Sequence, residues 1–384
     1  MLTYYRPHTS GLTIYAERLS KALVKRGHQV TVLTSQFDKS TPLEEIVEGV
    51  RIVRIPVWFR LSKGVIMPKL GRMATQLVKE HDVIQLHLPQ FDAAGVSLRG
   101  RLMKKPTVIT YHCDLKMPRD FISQAANIAI LTANRLAALF THRFVAYTDD
   151  FLNHSPYLSR YKQKVKVIQP PVVMPLAKNE AVKQFGEDHK VEGHYPIIGM
   201  ATRFASEKGV EVLLDALPAV MNKYPNAKVL YARTYQNVMG EQKYFDRLYP
   251  TIEKYEKSGQ WEFFGNLTPE EMAAFYPNLD MLLVPSLNST ESFGLVQIEA
   301  MINGTPCIAS ALPGVRQPVL QHEMGKVVAI GDSGELAAAI NEIAGNKAAF
   351  VKDPEPIRAH YDPDCVAEHY EELFIEIQNQ LDNE

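Results

Sequence analysis

The sequence predicts an α/β protein built from two parallel-sheet domains. Three observations carry that prediction. The chain has 384 residues, more than one ordinary core holds. Short β-branched runs alternate with amphipathic helical stretches through the first half. After Pro170 and Pro171 and a polar stretch reaching Tyr195, the same alternation begins again at Ile197. An apolar fraction of 46% with 22% charged residues is that of a soluble globular enzyme.

In the first half, strands are expected at 29–34, 50–56, 83–88, 107–111, 144–147 and 165–169. Helices are expected at 12–26, 67–79, 122–140 and 150–159, with Asp149 or Asp150 as an N-cap. The second half reads as strands at 197–202, 228–232, 261–264, 281–285, 306–309 and 326–329, with helices between them. A last helix at 365–381 follows Asp362-Pro363-Asp364, whose acids suit a cap.

Three widely spaced cysteines, Cys113, Cys307 and Cys365, form no C-x-x-C pair, which favours a reducing compartment. No apolar run reaches the roughly 20 residues of a spanning helix, and the start lacks the apolar core of a signal peptide. A cytoplasmic protein is the expectation. The net charge of −1 conceals a division: residues 1–170 carry 25 Lys and Arg against 12 Asp and Glu, and residues 171–384 carry 17 against 31. A half at +13 suits an anionic surface; attraction to the other half, at −14, is the alternative.

Neither half contains the glycine fingerprints of dinucleotide or nucleoside triphosphate sites, which disfavours hydride transfer and ATP chemistry. No metal-binding D-x-D is expected, since Asp362 and Asp364 read as a helix cap. The most informative segment runs E-S-F-G-L-V-Q-I-E-A-M-I-N-G-T-P from Glu291 to Pro306. Gly294 lacks the Cβ that keeps a backbone away from a ligand. Glu291 on the loop and Glu299 in the first turns of the following helix offer carboxylates able to accept the two protons of a vicinal diol. A capping acid with an exposed acid is the plainer alternative.

Arg203 and Lys208 follow the strand at 197–202, at the carboxyl edge of a parallel sheet and beside a helix N-terminus, where a diphosphate is readily neutralised. His112 closes the strand at 107–111, with Asp114 two residues on; it reads either as an active-site group or as a core histidine. Gly11 ends the loop Tyr5-Arg6-Pro7-His8-Thr9-Ser10-Gly11, where it would expose backbone N–H groups.

Together these features resemble the retaining glycosyltransferases of family 4, with the GT-B architecture of two Rossmann-like domains. The E-x7-E segment at Glu291 and Glu299 is the most specific element. Arg203 to Gly209 (R-x-x-x-x-K-G), Pro285-Ser286, Phe263 to Gly265 and Gly27 to Val30 support it, so that the resemblance covers nearly the whole chain. It implies an N-terminal domain of residues 1–170 joined by a returning helix at 364–384, and a donor-binding domain of residues 171–363, with the active site in the cleft and hinge closure across two crossings.

The resemblance further implies transfer of a hexosyl unit from a nucleotide diphosphate sugar with retention, and no cofactor or metal. Glu299 would hold the ribose, Glu291 the transferred sugar, and Phe293, Gly294 and Leu295 the sugar and phosphate. Arg203 and Lys208 would bind the diphosphate, His112 would lie beside the sugar, and Gly265, Asn266 and Leu267 would flank the base. His112, Arg203, Lys208 and Glu291 are thus the expected catalytic residues, and Gly11 a donor contact.

Three departures stand out. Ser10-Gly11 replaces a pair of glycines. The first strand is short, which suggests a start further upstream. L-P-G-V-R-Q-P replaces a glycine pair followed by glutamate, leaving Arg316 as a candidate contact.

The acceptor is expected to be a glycan or a lipid-linked or membrane-borne molecule. The segments R-G-R-L-M-K-K at 99–105 and W-F-R-L-S-K-G-V-I-M-P-K at 58–69 set apolar side chains among cations, as in peptides resting on anionic lipid. A solvated basic face is the alternative. No nucleic-acid module accompanies the basic half. A nucleotide-sugar epimerase of the same fold, or a catalytically silent nucleotide-sugar-binding protein, are the rival functions.

Overall fold

In the computed structural model the chain divides into two compact units, one of Met1–Pro171 with Tyr361–Glu384 and one of Val172–His360. The structure describes residues 1–61, 64–116 and 121–383. Ser62 and Lys63 of the basic segment, and Glu384 of the expected closing helix, lie outside them.

The first unit runs α1 (Gly11–Lys25), β1 (Thr31–Gln36), β2 (Glu44–Val47), β3 (Val50–Pro56), β4 (Phe59–Leu61), β5 (Gly64–Ile66), α2 (Leu70–Glu80), β6 (Ile84–Leu88), α3 (Ala93–Leu102), β7 (Thr107–Tyr111), α4 (Phe121–Phe140), β8 (Arg143–Ala146), α5 (Asp149–His154) and β9 (Val165–Val167). The second runs α6 (Asn179–Asp188), β10 (Ile197–Ala201), α7 (Val210–Lys223), β11 (Lys228–Ala232), α8 (Gln242–Lys257), β12 (Trp261–Gly265), α9 (Pro269–Phe275), β13 (Met281–Val284), α10 (Leu295–Met301), β14 (Cys307–Ser310), α11 (Gln317–His322), β15 (Gly325–Val328), α12 (Ser333–Gly345) and α13 (Pro354–His360). The last helix, α14 (Pro363–Asp382), belongs to the first unit.

Residues 1–3 stitch the first unit's strands together. Leu2 N–H donates to Leu33 at 3.2 Å, and Ser35 N–H donates to Thr3 at 3.2 Å; on the other side His87 N–H donates to Met1 at 3.1 Å. The order β2-β3-β1 therefore continues through residues 1–3 into β6-β7-β8-β9. Strands β6 to β9 are parallel, and β2 is antiparallel to β3. Leu86, Ile109 and Phe144 of the sheet and Ala137 of α4 are fully buried.

The second unit's sheet, β12-β11-β10-β13-β14-β15, is parallel throughout. Every residue of β10, β11, β13 and β14 is buried, because helices cover both faces, which explains their near-continuous apolar sequences. The order reverses between β10 and β13. That switch point is where loops diverge and ligands bind in such sheets.

Several sequence expectations needed correction. The cap of α5 is Thr148, whose hydroxyl accepts from Phe151 N–H, whereas Asp149 and Asp150 occupy the first turn. The edge strand β2 and the β4–β5 hairpin within the basic segment were not expected, being short and broken by charge. The polar stretch before Tyr195 contains α6, anchored by the buried Phe185. Asp362 does cap α14, accepting from Asp364 N–H at 2.8 Å.

Helix α14 packs on α1 within the first unit. Arg26 pairs with Glu371 at 2.7 Å, Arg143 with Glu376 at 2.8 Å, and the Tyr370 hydroxyl meets those of Tyr15 at 2.6 Å and Thr110 at 2.8 Å.

Gly209 starts α7 in a left-handed conformation at φ +69°, and a Cβ there would sit 2.1 Å from the carbonyl oxygen of Pro285. Replacing Gly209 with Ala is expected to cost roughly 2 kcal/mol or more through strain and clash, read as a lowered urea midpoint. An unchanged midpoint would show that the β10 and β13 loops need not touch.

Candidate active site

The switch point of the second unit brings together residues 83 positions apart. A short 3₁₀ turn, Ser206–Lys208, follows β10, and the loop after β13 leads into α10. Leu287 N–H donates to the Glu207 carbonyl at 2.9 Å, tying the two loops. Across this junction Lys208 Nζ lies 2.5 Å from Glu291 Oε2, with both side chains largely sheltered. The other carboxylate oxygen, Glu291 Oε1, accepts from Gly294 N–H at 3.1 Å. A fixed ammonium and a fixed carboxylate thus stand at the carboxyl edge of the sheet.

Gly294 is left-handed, at φ +79°, and a Cβ would meet the Gln297 amide nitrogen at 2.7 Å. Gln297 is fully buried and donates to the Phe293 carbonyl at 2.8 Å and the Val315 carbonyl at 2.9 Å. It draws the Phe293 carbonyl inward and fixes the turn at which Leu295 opens α10. Sequence reading missed Gln297, whose role depends on a distant carbonyl.

Glu299 sits on α10 and is only 2% exposed. Its Oε2 accepts from the Tyr276 hydroxyl at 2.9 Å and lies 3.8 Å from an Arg233 guanidinium nitrogen. Burial, and then the Glu299 charge, hold the Tyr276 phenol well above its usual range, so it remains a donor. Neither Tyr276 nor Arg233 was expected here. No sequence spacing links them to Glu299, because the sheet creates the proximity.

The other expected residues are arranged less tightly. Arg203 is exposed and pairs with Glu207 at 2.7 Å on its own turn. Asn266 accepts from the Thr234 hydroxyl at 3.1 Å at the end of β12, and Leu267 beside it is half-buried. Arg316 donates to the Ala311 carbonyl at 3.4 Å.

In the first unit the corresponding switch point lies between residues 1–3 and β6. Gly11 is exposed at the start of α1, where Ser10 caps the helix by accepting from Thr13 N–H at 3.2 Å. His112 follows β7 and is 7% exposed. Its Nε2 lies 2.9 Å from His87 Nδ1, and its Nδ1 hydrogen bonds with the Tyr147 hydroxyl. Asp114 turns inward to the hydroxyls of Tyr111 and Ser155, and burial raises its pKa.

Burial pushes the His112 pKa down to about 3 and lowers that of His87 well below its usual range, so both imidazoles are neutral.

Residues 9–174 match the model of Glycosyltransferase Family 4, and residues 183–355 match Glycosyl transferases group 1. Two Rossmann-like units with these parallel sheets have the GT-B fold. The chain belongs to glycosyltransferase family 4. It is 25% identical over 346 residues to a phosphatidyl-myo-inositol mannosyltransferase of Mycobacterium leprae, covering 88% of this chain and 84% of that protein. It is 24% identical over 347 residues to an alpha-monoglucosyldiacylglycerol synthase of Streptococcus pneumoniae, covering 88% and 76%. The crystal structure of Anabaena HepE in complex with UDP and glucose superposes with a TM-score of 0.73 at 17% identity, covering 97% of each chain. Among the described residues no helix is long and apolar enough to cross a membrane.

The two histidines predict a pH dependence of stability. Unfolded histidine titrates near 6.5, so between that value and the folded pKa of about 3 for His112, only the unfolded chain binds the proton. Stability should therefore fall as pH drops below about 6.5, by up to about 1.4 kcal/mol per pH unit for each histidine. Urea unfolding between pH 7.5 and 4 of His112→Asn should show a slope shallower by one proton. An unchanged slope would mean that His112 is not buried as a neutral ring.

Proposed function

We propose that the protein is a retaining glycosyltransferase that moves a hexosyl unit from a nucleotide diphosphate sugar to an acceptor hydroxyl. The observation that carries this reading is the Lys208–Glu291 pair, 2.5 Å apart at the switch point, with the buried Glu299 on the following helix. Lys208, with Arg203, takes the diphosphate and stabilises the charge that builds as the glycosidic bond breaks. Two cations supply that charge without a divalent metal. Glu291 accepts from hydroxyls of the transferred sugar, Glu299 from the ribose, and Gly265, Asn266 and Leu267 flank the base. Gly11 and the turn at Phe293, Gly294 and Leu295 supply backbone N–H groups to the donor.

A double displacement requires a carboxylate on the opposite face of the anomeric carbon. No residue is assigned to it, so the reading uses same-face substitution, in which the departing phosphate oxygen accepts the acceptor's proton. His112 is assigned to the sugar. As a neutral ring it does not oppose the positive charge developing there.

The acceptor is proposed to be lipid-linked or membrane-borne, with peripheral contact at an anionic membrane surface. The relatives named for phosphatidyl-myo-inositol and diacylglycerol support this. So does the first unit: Arg99 lines a cavity of about 420 Å³ with Met67, Leu70, Phe91 and Leu136. On α4 the exposed residues include Ile128, Leu136 and Leu139, with Arg135 among them. Exposed apolar side chains with arginines among them suit a lipid headgroup layer.

Lys208→Ala is expected to lower kcat by roughly 10²-fold or more, by the measure of one lost transition-state donor, with activity insensitive to EDTA. Retained kcat would remove Lys208 from the mechanism, and loss of activity to EDTA would refute metal independence. Thermal stabilisation by a panel of UDP-, GDP- and ADP-sugars should identify the donor; hydrolysis or epimerisation of that donor with no need for an acceptor would refute transfer. Sedimentation with anionic but not neutral vesicles is expected, and failure to bind either would count against the membrane-borne acceptor.

A further inference from the structure

Arg233 stands where an arginine is poorly suited to the backbone. It follows β11 at φ +90°, in the left-handed region that favours glycine. Its own N–H donates to the Gly265 carbonyl at 2.5 Å, and the neighbouring Thr234 hydroxyl donates to Asn266 at 3.1 Å. The end of β11 is thereby fastened to the loop assigned to the base. A strained residue persists only where its surroundings impose it, and such positions gather at ligand sites.

The side chain adds a second, independent observation. In the sheet, β10 lies between β11 and β13, yet the Arg233 guanidinium reaches past it to within 3.8 Å of Glu299 Oε2. The Glu299 side chain is 3% exposed and that of Arg233 is 23% exposed. A buried carboxylate requires compensating charge and hydrogen bonds. Tyr276 supplies a hydrogen bond to Oε2 and Arg233 a charge. At 3.8 Å the guanidinium is beyond hydrogen-bond reach of that oxygen, so it steers the carboxylate by charge.

We propose that Arg233 is a donor-positioning residue: it holds the Glu299 carboxylate aimed at the ribose, and so sets affinity for the nucleoside half of the donor. The inference rests on the assignment of Glu299 to the ribose. Arg233 acts on binding, whereas Lys208 acts on the leaving diphosphate. The two are separable because they address different parts of one molecule.

The test is calorimetric titration of the full-length protein with UDP and UMP, and in parallel with GDP and GMP, for wild type, Arg233→Met, Glu299→Gln, the double variant and Lys208→Ala. Arg233→Met is expected to weaken the diphosphate and the monophosphate by the same factor, roughly tenfold, and to raise the donor KM with little change in kcat. In the Glu299→Gln background the same substitution should change affinity less than twofold. Lys208→Ala should weaken the diphosphate more than the monophosphate. Arg233→Gly removes the guanidinium and relieves the backbone, so it should lose the same affinity with an undiminished Tm.

Independent, multiplying effects of Arg233→Met and Glu299→Gln would overturn the proposal. So would unchanged affinity in Arg233→Met, an effect on kcat alone, or a fall in the Tm of Arg233→Gly that parallels its loss of binding. If Glu299→Gln itself leaves affinity unchanged, the ribose assignment falls, and this inference with it. Weakened Glu299→Gln beside a silent Arg233→Met refutes the Arg233 role alone.

Discussion

The ion pair between Lys208 and Glu291 is the constraint around which the second unit is organised. It exists because strand order reverses between β10 and β13, leaving the two loops that follow them free to converge. Convergence then demands the absence of a side chain at Gly209, where the Pro285 carbonyl occupies the place of a Cβ. The backbone bond from Leu287 to Glu207 and the turn at Gly294 complete the fixing. The fold thereby holds cation and carboxylate together at one edge of the sheet.

The two units solve the problem of buried polarity in opposite ways. The second keeps charge and balances it: Glu299 is almost wholly enclosed, with Tyr276 and Arg233 disposed around it. The first removes charge instead. His87 and His112 bond to one another and are held neutral by burial, with Tyr147 closing the chain.

Much of this was legible in the sequence, for reasons that particular residues make plain. Strands β7, β11 and β3 have the bounds read from the sequence, because their largely buried runs stand out from the polar turns beside them. The segment from Glu291 to Glu299 was readable because its glycine, carboxylates and helix start are all local. Tyr276, Arg233 and Gln297 were not, since their partners lie in other loops and only the sheet brings them near. The cap of α5 was misread because Thr148 and two acids compete at adjacent positions, and only the extended backbone at Thr148 selects the hydroxyl. Strand β2 escaped notice because a charged edge strand lacks the apolar alternation by which strands are recognised.

The hydroxyl of Tyr370 carries a consequence of another kind. It comes from the last helix of the chain, yet it bonds to Thr110, two residues before His112, and to Tyr15, whose ring lies edge-on to that histidine at 5.1 Å. Proteolytic clipping of the final twenty residues would thus reach further than a lost surface element. It would unpin the strand end that presents the imidazole, making the integrity of the carboxyl terminus a condition for ordering residues laid down more than two hundred positions earlier.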